Sequence, residues 1–240
     1  MSSAICMDKD VAKRLMLQHG LPTVPYVSFH KGEWQHNSTE ILDRISKKLG
    51  EVLFVKPANM GSSVGCSKVK QVDELKAAID FAFQYDVKVM VEHAVNAREV
   101  ECSVLENSEY GKPPLTSVLG EIITGHEFYD YNAKYHDDTL KLIIPAKIDD
   151  TSVKKIQQIA SDAFRLLECE GMARVDFFID KDSGQIYLNE LNTLPGFTSV
   201  SMYPMMWIAS GLAYTDLLTK LIHLAVGRYK RHAALKVTLN

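Results

Sequence analysis

Apolar residues along this chain recur in short runs of two kinds, some spaced by three and four as on a helix and others alternating as in a strand. The segment "DKDVAKRLMLQHG" sets Val11, Leu15 and Leu17 at roughly helical spacing, with Gly20 and Pro22 as a stop. "EVLFVKP" predicts a strand ending at Pro57, and "CSKVK" resumes extended character after a Gly/Ser-rich connection. Next, "VDELKAAIDFAFQY" places Val72, Leu75, Ile79, Ala82 and Phe83 on one helical face. A strand over "VKVMVEH" follows, and "REVECSVL" alternates Val100, Cys102 and Val104 against polar neighbours as a half-buried strand does.

Between Gly120 and Pro145 the pattern opens and closes as strand around an aromatic, charged middle without a period, which predicts a long loop of the kind that often carries function. "SVKKIQQIASDAFRLL" is an amphipathic helix through Val153, Ile156, Ile159, Ala163 and Leu166. "MARVDFFIDKDSGQIYLNELN" reads as two strands about a "KDSG" turn, and "YTDLLTKLIHLAV" as a final helix. The basic tail "RYKRHAALKVTLN" reads as a solvated terminus. With no internal repeat, this is an α+β or α/β outline.

Composition narrows the function classes. The 240 residues, 46% hydrophobic and 24% charged, describe a water-soluble globular chain of one large or two small domains. A net charge of -3 supplies no basic excess, which argues against nucleic acid or an anionic membrane as partner and favours a small ligand. Cys6, Cys66, Cys102 and Cys169 are scattered without a CxxC pair, so neither a zinc site nor a disulfide framework is indicated. "MSSAICMDKD" lacks an apolar signal core, and no window approaches the roughly 18 apolar residues of a membrane span. The chain reads as cytoplasmic.

Three constellations carry candidate chemistry. Period-two alternation puts Arg174 and Asp176 on one face of the first late strand and Glu190 and Asn192 on one face of the second. If Asp180 lies near Ile186, Asp176 falls opposite Glu190 and Arg174 opposite Asn192. Two carboxylates and an amide carbonyl are hard donors suited to Mg²⁺ completed by phosphate oxygens, although Arg-x-Asp alone would suit an ordinary salt bridge. "VKPANMGSSVG" sets Lys56 at a strand end before Gly61, Ser62, Ser63 and Gly65. Glycines allow backbone N–H groups to approach phosphate, and the lysine precedes them, so the geometry suggests a flap rather than a Walker loop. By itself a Gly/Ser hairpin is more often just a turn. "VMVEHAVNAREVE" ends a strand with Glu92 and adds Glu99, a hinge that could receive adenine and ribose or simply be a surface loop.

The order of lysine strand, Gly/Ser flap, Glu-ended hinge, Arg-x-Asp strand and Glu-x-Asn strand resembles the ATP-grasp carboxylate-amine ligases. Within them, "MDKDVAKRL", "KPANMGSSVG", "FYDYNAKY", "ARVDFF" and "NELNTLPGFTSVSMYP" resemble the D-alanine-D-alanine ligase family over essentially the whole chain. The resemblance implies an α+β ATP-grasp fold of two subdomains with the nucleotide between their sheets. It divides the chain into a junction helix over 1–20, a central subdomain over 21–93 and a C-terminal subdomain over 94–240. It further implies that Lys9 and Lys56 contact ATP phosphates and that Ser62 and Ser63 form the flap. Glu92, with the backbone near His93 and Val95, would receive the adenine, with Glu99 nearby and Phe128 packed on the base.

By the same resemblance, Asp176, Glu190 and Asn192 would hold two Mg²⁺ or Mn²⁺ ions. Arg174 and the Gly196 N–H would stabilise an oxyanion, and Ser201 with the Met202 backbone would seat the carboxylate of the second D-alanine. "FYDYNAKY" would be a lid, with Lys134 on the phosphates and Tyr135 bonded to Ser62. A phenol at Tyr135 favours a dipeptide over a depsipeptide product. The implied reaction joins two D-alanines through an acylphosphate for peptidoglycan precursor synthesis. The family's usual N-terminal α/β domain, which binds the first D-alanine and supplies much of a homodimer surface, has no counterpart among these residues. A ligase active only when the missing part is supplied and an Mg-ATP-binding module with little turnover therefore both stay open, as does a ligase for another amino or hydroxy acid.

Overall fold

The structure, a computed structural model, describes residues 1–123 and 141–236. Two short helices, α1 (Ser2–Met7) and α2 (Lys9–Gln18), lead into β1 (Tyr26–His30), α3 (Lys31–Leu49), β2 (Leu53–Pro57), β3 (Ser67–Val69), α4 (Val72–Ala82) and β4 (Lys88–His93). These strands form an antiparallel four-stranded sheet in the order β1-β4-β2-β3. After residues 94–96 the chain enters a second sheet. It comprises β5 (Ala97–Leu105), β6 (Leu115–Ile123), β7 (Lys141–Ile143), β8 (Met172–Asp180) and β9 (Ile186–Asn192), in the order β7-β6-β5-β8-β9. Helix α5 (Asp150–Leu166) precedes β8, and α6 (Met202–Ala209) and α7 (Tyr214–Ala233) follow β9.

The first sheet has one greasy and one polar face, the second packs α5 on one face and carries polar residues beside α6 on the other, and strand alternation sorts the residues between them. In the first sheet Val27, Phe29, Leu53, Val55, Val89 and Val91 pack against Trp34, Ile41 and Ile45 of α3 and Leu75 and Ile79 of α4. The intervening Ser28, Lys56, Lys88 and Glu92 turn to the opposite side. In the second sheet Val100, Cys102, Val104, Ala173, Val175 and Phe177 share a core with Ile156, Ala160 and Ala163 of α5. Their neighbours Glu101, Arg174 and Asp176 therefore point the other way.

Helix α2 ties the two sheets together. Ala12 and Met16 join the core of the second sheet, while Asp10 and Lys13 reach β4 of the first. Asp8 caps the helix, accepting from the Val11 amide at 3.1 Å. The chain then crosses back, with the Leu188 amide donating to Pro22.

Several sequence expectations shift. The buried face of α2 holds Asp10, Ala12, Lys13 and Met16, whereas Leu17 is exposed, because the helix packs a charged stripe that an apolar count overlooks. Val72 is exposed at the start of α4, where it precedes the turn that meets the sheet. β5 is not half-buried: every residue from Val100 to Leu105 is buried, since it is the middle strand with α5 and α6 on its two faces. The first part of the basic tail continues α7 as far as Ala233. No helix among the described residues is long and apolar enough to cross a membrane.

Candidate active site

The β8–β9 hairpin brings Arg174 opposite Asn192 and Asp176 opposite Glu190, as alternation predicts. Near the turn, however, Ile179 faces Ile186, and a bulge between Asp176 and Phe177 restores the register by leaving Asn189 as an extra residue on β9. The apolar phase records the slip, because Ile186, Leu188 and Leu191 are buried while Asn189 and Glu190 are both outside the core. The bulge is what turns Glu190 onto the polar face beside Asp176.

On that face Arg174 grips Asp176 with two bonds, Nε to Oδ1 and a terminal nitrogen to Oδ2, both 2.7 Å. Asn192 Nδ2 donates to Asp176 Oδ2 at 3.0 Å. Glu101 of β5, in register with Asp176, lies 3.2 Å from Arg174 Nε. Burial alone would lower the Arg174 pKa, but Asp176, Glu101 and Glu190 raise it, so the guanidinium is firmly charged. Glu101 is a site residue that the motif reading passed over. Its signal was the alternation of "EVE", which sets Glu99 and Glu101 on one face of the strand and Val100 on the other.

Facing this patch is the polar side of the first sheet. Lys56 of β2 forms an ion pair with Glu92 Oε2 on β4, and Lys13 of α2 lies 2.5 Å from Glu92 Oε1. That second contact is an ion pair between two buried groups. Burial pushes the Glu92 pKa up, and the charges of Lys13 and Lys56 overcome it and bring it to about 2. Lys9 bridges the halves: its Nζ donates to the Met60 carbonyl at 2.5 Å and lies 3.9 Å from Glu190 Oε2. Lys13 was not anticipated, although it follows Lys9 by four residues and so shares its helical face.

The segment after Lys56 folds as a tight turn. The Val64 amide donates to the Gly61 carbonyl at 3.1 Å, and Ser62 and Ser63 both take positive φ, 52° and 58°, as the central residues of a type I′ turn do. Gly65 has φ 73°, and a Cβ there would meet Tyr85 at 2.7 Å and Pro57 at 2.8 Å, so the turn's exit requires glycine. The loop is anchored at its root by Asp86, which accepts from the Asn59 amide and side chain at 2.9 Å.

At the hinge, the His93 amide donates to Pro25 and the Ala94 amide to Val52. Val95 lies in the short connection between the sheets, and Glu99 sits on the polar face of β5 in register with Phe178. Past β9, the Ser201 hydroxyl turns back to accept from the Thr198 amide at 3.0 Å. A Cβ on Gly196 would lie 2.8 Å from that oxygen, so Gly196 and Ser201 face each other across the loop. Ser201 also precedes Met202 at the start of α6. Tyr203 holds this helix to β5, its hydroxyl donating to the Val104 carbonyl at 3.0 Å. Phe128, Lys134 and Tyr135 lie outside the described residues.

The cluster thus gathers Lys9, Lys13, Lys56, Glu92, Arg174, Asp176, Glu190 and Asn192 between the sheets. Cations from one side meet carboxylates from the other. Among the described residues no group of three or more His, Cys, Asp or Glu is placed to hold a metal unaided. Asp176, Glu190 and Asn192 offer two carboxylates and an amide, a hard donor set that fits Mg²⁺ when a ligand's oxygens complete it.

A family model described as "D-ala D-ala ligase C-terminus" matches residues 15–223. The D-alanine-D-alanine ligase of Natranaerobius thermophilus is 48% identical over 228 residues, covering 95% of this chain and 61% of that protein. The solved D-alanine-D-alanine ligase from Coxiella burnetii matches with a TM-score of 0.80 at 38% identity, over 97% of this chain and 60% of that one. VanG D-Ala:D-Ser ligase from Enterococcus faecalis matches with a TM-score of 0.82 at 40% identity, over 93% and 62%. The chain spans about three fifths of the length of the curated relatives it matches. Its fold is the ATP-grasp fold of these ligases.

Proposed function

This chain belongs to the D-Ala-D-Ala ligase C-terminus family, and from that premise we propose that it carries the nucleotide, metal and second-substrate sites of an ATP-dependent ligase that joins two D-alanines in peptidoglycan precursor synthesis. The observation that carries this reading is the approach of Lys9 Nζ to Glu190 Oε2 at 3.9 Å. It puts phosphate-binding cations and cation-binding carboxylates within one triphosphate's reach. We read the subdomain boundary at residues 93/94, where the chain passes from one sheet to the other.

In this reading Lys9 and Lys56 hold the phosphates under the flap of Gly61 to Gly65, with Ser62 and Ser63 at its tip. Adenine enters at the hinge, beside Glu92 and the backbone of His93 and Val95, with Glu99 near the ribose. Asp176, Glu190 and Asn192 would hold two Mg²⁺ or Mn²⁺ ions, which when bound neutralise phosphate charge during transfer. The carboxylate of the first D-alanine attacks the γ-phosphorus and ADP leaves. The amine of the second then attacks the acyl carbon, and inorganic phosphate leaves.

Arg174 is already held over this patch by Asp176 and Glu101, so it needs little reordering to meet an oxyanion, which the Gly196 N–H would share. The Ser201 hydroxyl and the Met202 N–H, at the positive end of α6, are the groups for the incoming carboxylate. Phe128, Lys134 and Tyr135 complete the reading as base, phosphate and flap contacts of a lid. ATP as substrate implies the cytoplasm, and a homodimer is the assembly this reading expects of the full-length protein.

The second substrate is tested directly by incubating the protein with ATP, Mg²⁺ and D-alanine alone or with D-serine, D-lactate or glycine, and weighing the products. D-Alanyl-D-alanine as the main product supports the reading. D-Alanyl-D-serine, the product type named for one structural neighbour, or D-alanyl-D-lactate would replace it. Mg-ATP binding without any product would favour the binding-module alternative.

A further inference from the structure

Helix α2 buries a lysine that no step of the proposed reaction uses. Lys13 has no solvent exposure. Its ammonium lies against one oxygen of Glu92 while Lys56 holds the other. Two lysines share one carboxylate, so the triad carries a surplus positive charge in a buried place. Glu190 on the opposite sheet adds attraction to both lysines from farther off. Burial pulls the Lys13 pKa below its ordinary value, and Glu92 only partly offsets that.

Consider the same site without Lys13. Lys56 and Glu92 would form a neutral buried pair, and moving Lys56 to a phosphate would strand a buried carboxylate, which is strongly unfavourable. With Lys13 present, Lys56 can depart and leave an intact pair behind. We propose that Lys13 is a positioning residue that keeps Glu92 compensated, so that Lys56 is free to pass to the nucleotide's phosphates. The proposal rests on the ATP-binding reading above and concerns the phosphates alone. Glu92 also borders the proposed base site, so any change in base binding enters the ATP and adenosine affinities alike and cancels in their ratio, which leaves the phosphates' share.

That division sets the test. Calorimetric titration of the protein with ATP and with adenosine, for wild type, Lys13→Arg, Lys13→Gln and the double variant Lys13→Gln/Glu92→Gln, yields the ratio of the two affinities for each. In Lys13→Gln the preference for ATP over adenosine falls by about tenfold or more, because Lys56 is locked to Glu92. Lys13→Arg keeps it within about threefold of wild type. The double variant, which removes the lock together with Lys13, also returns to within about threefold. A ratio in Lys13→Gln equal to wild type, or ATP and adenosine weakened alike, overturns the proposal. Should Lys13→Gln not fold, the double variant decides, and a ratio more than about tenfold below wild type overturns it. Wild-type protein that binds no ATP would overturn the nucleotide reading itself, a separate outcome from these.

Discussion

Replacing Glu92 with glutamine should destabilise the protein more than any exposed charge change, and the size can be worked from its surroundings. The carboxylate is 3% exposed and is wedged between Lys13 and Lys56. Its pKa falls from an ordinary 4.5 to about 2. At about 1.4 kcal/mol per pH unit, that difference corresponds to roughly 3 kcal/mol. Removing one member of a buried ion pair costs about 3–5 kcal/mol by a separate line of reasoning, so the two agree. A depressed carboxylate pKa gives stability that is complete above the unfolded value of 4.5 and is lost as the pH falls towards 2. Urea unfolding followed by circular dichroism should therefore show Glu92→Gln about 3 kcal/mol less stable at pH 7. Between pH 6 and pH 3, wild type should lose roughly 2 kcal/mol that the variant lacks to lose. A variant within about 1 kcal/mol of wild type at pH 7, with an unchanged pH slope, would refute the idea that this triad is a tight charge cluster.

Two further outcomes follow from the geometry. Arg174→Lys cannot reproduce the two-pronged hold on Asp176, so turnover should fall by about 100-fold or more while ATP affinity changes little; steady-state kinetics beside a binding titration would separate the two. Gly65→Ala must place a Cβ 2.7 Å from Tyr85 at positive φ, so thermal unfolding should report a loss of about 1–3 kcal/mol, together with weaker ATP binding because the flap's exit is displaced.

The hairpin that pairs Asp176 with Glu190 was legible because strand alternation and a short turn fix register. The same logic missed the bulge at Asn189, although the break in spacing between Leu188 and Leu191 encodes it. Helix α2 was placed but rotated wrongly, since Asp10 and Lys13 occupy buried positions where periodicity expects apolar residues. Their burial is intelligible only once Lys88 and Glu92 appear across from them on β4, and that is long-range information. β1 and α3 drew no reading, because Tyr26–His30 is short and α3 mixes its buried Trp34, Ile41 and Ile45 with many polar residues. The family resemblance supplied what periodicity could not, namely the expectation that lysines of α2 and β2 and carboxylates of the second sheet serve one site.

The central claim is that this junction between the sheets holds a nucleotide's phosphates and their cations. A crystal structure of the protein with a non-hydrolysable ATP analogue and Mn²⁺ would test it most directly, because manganese is located by its anomalous signal. The account predicts manganese peaks at oxygen-ligand distance, about 2.0–2.3 Å, from Asp176, Glu190 and Asn192, with phosphate density between them and the ammonium groups of Lys9 and Lys56. Manganese elsewhere, or phosphates lying away from both lysines, would contradict it.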